Sequence, residues 1–518
     1  VTSGSAARGA GAPPGDGART WRFALAACAV VAAIQAATSP LADPDLPGHL
    51  AVGEWIATHR AVPFAEPFAW TRAGEPYFAY SWLLQLIFYR LLDSTGPAGL
   101  HLLAGGIGAG IVLASACAAR AQGATPAATA GFAALSAAVA FESTPFLRPQ
   151  LLMHLLVPLG WLCCSRLASA DRPARTWLAA FAAIVALAAA THITFPLLLA
   201  PLTIVAVRAE RWRRVAGWGL AAFVAGALAS PYALRWVDVF QLNLASNVLT
   251  VAPTASGELR PGFTIAPVAG SAIALLSLAG FGAAQGGRAR LVHGLLSLAG
   301  LLLFVRLFKG LGPWWWCSTP LVIAALRRLP TASTARVRAA FATSLAAALA
   351  TGSLLNLRMR PLMRPYESGT LHGSLPSIKG YASEPAASWL LRHLRPDASG
   401  RLLTTFNYGG YLGWRLPRLS PSIDGRTIFP DSAAMPDAAG HRLARADGPW
   451  RSADVAIIPA DHPAVQALGR TTGWLKVGTA APAPWAPVAP RATLWVKRDW
   501  LSRVALDSTT LPSDGLLR

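Results

Sequence analysis

The chain has 518 residues, of which 54% are hydrophobic and 13% charged, with a formal net charge of +21. A soluble domain usually carries about a quarter charged residues, so a wholly soluble protein is excluded. Much of the positive charge sits in short clusters between apolar runs, such as Arg208-Ala-Glu-Arg-Trp-Arg-Arg214 and Arg327-Arg328. Clusters of that kind set membrane orientation, and they argue against a nucleic-acid surface. Residues 1–20 are rich in Gly, Ala, Ser and Pro and read as a disordered tail. The apolar run after them has no small-residue cleavage site, so it reads as a retained first helix and not as a signal peptide.

A membrane span takes about 20 apolar residues, fewer where it is buried in protein. Candidate spans lie at 22–39, 97–119, 126–141, 150–165, 176–192, 194–207, 215–234, 263–284, 290–307, 312–326 and 338–356. The stretch 176–207 can be one long helix or two short ones. A further apolar stretch, 80–92, is short and carries Gln85 and Arg90. The strongest basic loops, 208–214, 288–290 and 327–338, belong in the cytoplasm by the positive-inside rule. Arg8, Arg19 and Arg22 put the N-terminus there too. Both conditions hold only if 80–92 does not cross, so it is expected to lie on the outer surface as an amphipathic helix. The fold class expected is mainly α: a polytopic transmembrane bundle of about 11 spans over 21–356, followed by a small extracytoplasmic α/β domain at 357–518. Loops 40–96, 142–149, 193, 235–262 and 308–311 fall outside.

The five cysteines, Cys28, Cys117, Cys163, Cys164 and Cys317, all lie in apolar segments, where they behave as small hydrophobic residues. Residues 1–356 hold twelve Asp or Glu, and six of them fall between 40 and 93. Asp43 and Asp45 follow the first span directly. Partial burial would raise such a carboxylate's pKa and suit it to general-base work. Two carboxylates one residue apart could also share a divalent cation such as Mg²⁺ or Mn²⁺. A solvated helix end is the plainer reading of the same pattern. Arg148, His192, Arg306 and Lys309 come from four places in sequence, and the threading puts all four at outer ends of spans. Each alone would snorkel to headgroups. Together, on the leaflet that carries the acidic loop, they suit a lipid phosphate.

These residues resemble a known family. The run Asp43-Pro-Asp-Leu-Pro-Gly-His49, then Gly53-Glu-Trp-Ile56, Val62-Pro-Phe-Ala-Glu-Pro-Phe68 and Tyr80-Ser-Trp-Leu83 resembles the first outer loop of bacterial GT-C superfamily glycosyltransferases. Those enzymes are related to protein mannosyltransferases and aminoarabinose transferases. Arg148-Pro-Gln150, His192 with Phe195, Ser230-Pro-Tyr232 and Arg306 follow in matching order. Asn407-Tyr-Gly-Gly-Tyr-Leu-Gly-Trp-Arg415 and Ser422-Ile-Asp-Gly-Arg426 resemble the periplasmic tail of one branch. The resemblance implies a polyprenyl-phosphate sugar donor, an unidentified acceptor and an acidic first-loop residue as base or metal contact. It puts Asp43 first and Asp45 second for that role, with His49 and Glu66 in support. The chain departs from the pattern at Pro47-Gly48, where relatives carry aromatic residues, and at Glu66, where an Asp is common.

From 384 onward the pattern turns α/β. Helices are expected at 385–394 and 410–416, and strands at 401–406, 422–425, 454–459, 474–478 and 492–497. Asn407-Tyr-Gly-Gly is expected between a strand and a helix. There it either presents backbone N–H groups to an anion or simply permits a tight turn. Asp424 and Arg426 either pair with each other or contact sugar or acceptor. The function expected is transfer of a sugar from a polyprenyl-phosphate donor at the outer face of a bacterial inner membrane, with inversion. A silent relative that binds lipid-linked sugar or scaffolds a cell-envelope assembly is the alternative. A transporter ranks last, because no internal repeat is visible.

Overall fold

The computed structural model describes residues 16–41, 43–169, 175–245, 261–283, 287–328, 354, 370–375, 383–423, 449–480, 491–503 and 516–517. The first helix, α1 (Asp16–Thr38), begins inside the stretch read as a tail. Two helices of the first loop follow, α2 (Leu46–His59) and α3 (Trp82–Thr95). The bundle then continues through α4 (Pro97–Ala121), α5 (Pro126–Ser143), α6 (Pro149–Ser169) and α7 (Arg175–Ala189). A 3-10 turn at Phe195–Leu198 leads into α8 (Leu199–Arg208), so the chain breaks at 190–194 and 176–207 is two helices. Next come α9 (Trp212–Leu228), α10 (Trp236–Ala245), the short α11 (Gly262–Ile265), α12 (Pro267–Ala283), α13 (Gly287–Arg306) and α14 (Leu311–Arg328).

Ten of the eleven stretches read as spans are therefore helical. The eleventh, 338–356, lies outside the described residues but for Leu354. Among the described residues, Trp21–Thr38, Pro97–Ala121, Pro149–Ser169 and Gly287–Arg306 are long and apolar enough to cross a membrane on their own. A fifth candidate is the pair Trp212–Leu228 and Ala233–Leu242, bent by 99° at Ser230-Pro231-Tyr232. The rest are shorter or less apolar. At about 1.5 Å per residue, α8 alone reaches only about 15 Å.

Small residues set the packing. A Cβ added at Gly105 would meet Ala33 and Ala37, and one at Gly108 would meet Ala32 and Ala36. As numbers rise along α4 they fall along α1, and Ala29, Ala32, Val112 and Ala116 continue the series. The two helices are thus antiparallel, in the close contact that small residues allow. Residue 39 and residue 96 stand at the same end of the bundle. The segment between them, with α3 inside it, does not pass to the other end.

Contacts sort the loops by end. Ser39 bonds the Pro145 carbonyl, and the Leu83 N–H donates to Ala190 O, so loops 39–96, 144–148 and 190–194 meet. At the other end Arg327 caps Gln122 O and Arg328 reaches Ala283 O. One end is acidic-looped; the other carries the arginine clusters.

The C-terminal elements are α15 (Glu384–His393), β1 (Gly400–Thr404), α16 (Phe406–Arg415), β2 (Leu419–Pro421), β3 (Val455–Pro459), α17 (Pro463–Gly469), β4 (Trp474–Ala480), β5 (Ala492–Lys497) and β6 (Leu516–Leu517). They form one mixed sheet of order β2-β1-β3-β5-β4-β6. β1 is parallel to β2 and β3, and β5 is antiparallel to β3 and β4. Alternation along the strands splits the core. Leu402, Val455, Ile457 and Val496 pack under α15 and α16, while Leu403, Ala456, Ile458 and Trp495 pack under α17. Two expectations are corrected here. Asn407-Tyr-Gly-Gly lies inside the first turns of α16, because the helix starts at Phe406 and not at Gly410. The edge strand ends at Pro421, before Ser422.

Candidate functional site

The site forms where the first loop, the 144–148 loop, the 190–194 turn and the α13–α14 loop meet. Asp43 is fully buried. Arg148, just ahead of α6, grips it with a fork: Nε to Oδ2 at 2.7 Å and Nη2 to Oδ1 at 2.7 Å. The same Nη2 reaches Asp45 Oδ2 at 3.1 Å. The Asp45 backbone N–H donates to Asp43 Oδ1, closing the turn that starts α2. Burial pushes the Asp43 carboxyl up to about 6, against the downward pull of Arg148 and helped by the Asp45 charge. Such a bidentate pair fixes orientation as well as charge.

Asp45 differs from Asp43 in one decisive way. Its side chain is 38% exposed, against 1% for Asp43. It faces a cavity of about 110 Å³ lined also by His49, Tyr80, Gln85, Arg148, Gln150, His192, Lys309 and Gly410. That space exceeds the minimum for one water several-fold. His49 Nδ1 lies 3.1 Å from the Gln85 amide nitrogen. Taken as assigned, the amide donates, and the ring proton sits on Nε2. His192 Nδ1 accepts from the Thr194 N–H at 3.3 Å and lies 2.8 Å from Thr194 Oγ1. Burial lowers both imidazoles first of all, His49 to about 4 and His192 to about 3, the latter with help from Lys309. Both rings are neutral at pH 7. Burial raises the Tyr80 phenol, so it stays protonated and can donate. The cavity thus holds a carboxylate with a free approach, two cationic groups and several neutral donors.

Five of the residues singled out from the sequence meet here: Asp45, His49, Arg148, His192 and Lys309, with Asp43 directly behind. Others stand elsewhere. Arg306 is exposed at the end of α13 and does not line the cavity. One helical turn separates it from Lys309, but the chain leaves the helix between them and sends the lysine inward. Glu66 is buried outside the cavity, where Oε1 accepts the Phe68 and Ala69 N–H groups at 2.8 Å each and shapes the loop. Asn407 is exposed on α16. Asp424 and Arg426 lie outside the described residues.

A divalent cation fits the carboxylate pair poorly. Both Asp43 oxygens are committed to Arg148, whose guanidinium sits where a shared cation would sit. Among the described residues no group of three His, Cys, Asp or Glu side chains could hold a metal.

Sequence reasoning passed over Tyr80 and Gln85 as site residues, and took Gly410 only as part of the Asn407-Tyr-Gly-Gly turn. Gly410 brings the C-terminal unit into the cavity wall. α16 packs on α2 where Gly48 faces Gly410, an added Gly48 Cβ lying 3.9 Å from the Gly410 Cα. Gly48, having no side chain, leaves room for this contact. Nearby, Trp70 Nε1 donates to Leu402 O at 3.3 Å, Thr71 bonds Ser422 O, and His372 Nε2 lies 3.1 Å from Glu54 Oε2.

No protein-family model matches the chain, and no curated protein does. Solved structures match well. Arabinofuranosyltransferase AftD from Mycobacteria aligns with 92% of this chain at TM-score 0.56 and 19% identity. The chain spans 41% of that protein's length. ArnT from Cupriavidus metallidurans, solved bound to undecaprenyl phosphate, aligns over 92% of this chain and 97% of its own, at TM-score 0.51 and 15% identity. Its apo form aligns over 95% and 99% at the same score. The chain therefore has the fold of the GT-C superfamily of membrane glycosyltransferases.

Proposed function

We propose that the chain transfers a sugar from a polyprenyl-phosphate donor to an acceptor at the acidic-loop end of the bundle. The cavity carries this reading: a solvent-facing carboxylate, Asp45, stands beside Arg148, Lys309 and His192 at the mouth of a fold shared with lipid-linked sugar transferases. The basic clusters at the opposite end support a cytoplasmic position for that end by the positive-inside rule, and this reading assigns the reaction to the extracytoplasmic face of the cell membrane.

The roles divide by environment. Asp45 accepts the proton of the acceptor hydroxyl as that oxygen attacks the anomeric carbon. The bond to the donor phosphate breaks on the opposite side, which inverts the anomeric centre. Lys309 and the N–H and O–H donors of His192 and Tyr80 stabilise the departing phosphate. Arg148 is held in place by Asp43, so Asp43 is a positioning residue and not the base. This reverses the order of preference that the resemblance implies.

The donor assignment is tested by binding. Wild-type protein should retain polyprenyl phosphate through detergent purification, and Lys309→Met should retain it at least tenfold less well. Equal retention by both would remove the phosphate role from this cavity.

A further inference from the structure

We propose that the basic end of the bundle holds a second ligand site, built for a phospholipid headgroup that carries both a phosphate and a free hydroxyl. A separate cavity of about 460 Å³ lies there, between the loop after α4, the end of α6, the end of α8 and the start of α9. Arg208, Arg211 and Arg214 line it, with Glu210 beside them. Arg208 is steadied by His293 of α13, Nη2 to Nδ1 at 3.3 Å. The loop that carries Gln122 is pinned by Arg327 on its backbone carbonyl.

Buried polar atoms without partners point to an occupant. Both side-chain atoms of Gln122, Nε2 and Oε1, are buried without a hydrogen-bond partner, and so is Ser165 Oγ. Both residues line the cavity. Such atoms are normally satisfied in a native protein. The arginines, the amide nitrogen and the hydroxyl are donors suited to phosphate oxygens. The buried amide oxygen of Gln122 needs a donor in return, which a headgroup hydroxyl supplies.

The position favours a lipid over a free phosphate. Trp218 forms part of the wall and is 54% exposed. On the same helix, Leu220, Val224 and Leu228, spaced i, i+4, i+8, form an exposed apolar stripe of α9. A headgroup in the cavity would lay its acyl chains along that stripe, with Trp218 at interface depth. This site is independent of the transfer reaction at the other end.

The test uses purified full-length chain, with lipid retention read by native mass spectrometry and stability by thermal unfolding. Phosphatidylglycerol should be retained and raise the Tm. Phosphatidylcholine should not, and glycerol 1-phosphate should bind at least tenfold more weakly. The double variant Arg211→Gln/Arg214→Gln should lose at least tenfold in retention. Gln122→Leu, which leaves the charge untouched, should also lose the phosphatidylglycerol effect, and it decides the matter if the arginine variant fails to fold. Equal retention of phosphatidylcholine, or wild-type retention by the variants, would overturn the site. Glycerol 1-phosphate binding as tightly as the lipid would overturn the lipid assignment.

Discussion

The pair Asp43 and Asp45 shows how far sequence carries at the scale of single residues. The D-x-D spacing and the position after the first span were legible, and so was the placing of Arg148, His192 and Lys309 at one end. The division of labour was not, because exposure of 1% against 38% depends on which oxygen Arg148 covers. Arg306 shows the converse: adjacency to Lys309 in sequence says nothing about which side of a helix end faces the cavity. The Asp43 assignment has a pH consequence. Its working form is the carboxylate, and its pKa is pushed up to about 6. Transfer should therefore hold steady above that value and fall as pH drops through it, when Asp43 takes a proton and loosens Arg148. His49 and His192 charge only near 4 and 3, so they do not produce this limb. In Asp43→Asn the limb near pH 6 should vanish, and the Tm should fall. Removing one partner of a buried pair costs about 3–5 kcal/mol. A limb near 6 that persists in the variant would contradict the assignment.

Apolar length found the elements well, and it failed where an element's start depends on tertiary contact. Phe406 joins α16 because Tyr408, Tyr411 and Leu412 pack on β1 and β3, so the Gly-Gly pair became helical. The buried Glu384, linked to Arg415 at 3.2 Å and to Tyr411, ties the start of α15 to the end of α16. Glu384 lies in no motif, and its partners Tyr411 and Arg415 were marked only as members of the run Asn407–Arg415, with no hint of this contact. In the membrane half, glycines decide which helices touch. A Cβ at Gly280 of α12 would stand 1.8 Å from the Leu321 carbonyl oxygen of α14 and 2.5 Å from its carbon. Backbone atoms cannot swing aside, so Gly280→Ala should force the two helices apart. Overpacking of that kind costs about 1–3 kcal/mol, measurable as a lower Tm in detergent. An unchanged Tm would show that these helices are not in close contact.

The whole molecule is polar along its long axis. The first loop, the cavity and the C-terminal sheet share one end, and the arginine clusters share the other. The parity of the short stretch 80–92 was the sequence feature that predicted this, and the antiparallel packing of α1 and α4 agrees with it. The cooperation of Gly410 with the first loop was not legible, since it rests on a contact between residues far apart in the chain. A reporter placed at residue 95 should fall on the same side of the membrane as one in the C-terminal sheet, and opposite one at Arg211. Residue 95 and Arg211 on one side would break the arrangement. The most direct measurement is sugar transfer in proteoliposomes from polyprenyl-phosphate donors, for wild type and for Asp45→Asn, with and without a chelator. Wild type should transfer at a rate that the chelator leaves unchanged. Asp45→Asn should still bind donor but lose about 10²–10⁴-fold in rate, the usual worth of a general base. Full turnover by Asp45→Asn would contradict the proposed mechanism at its centre.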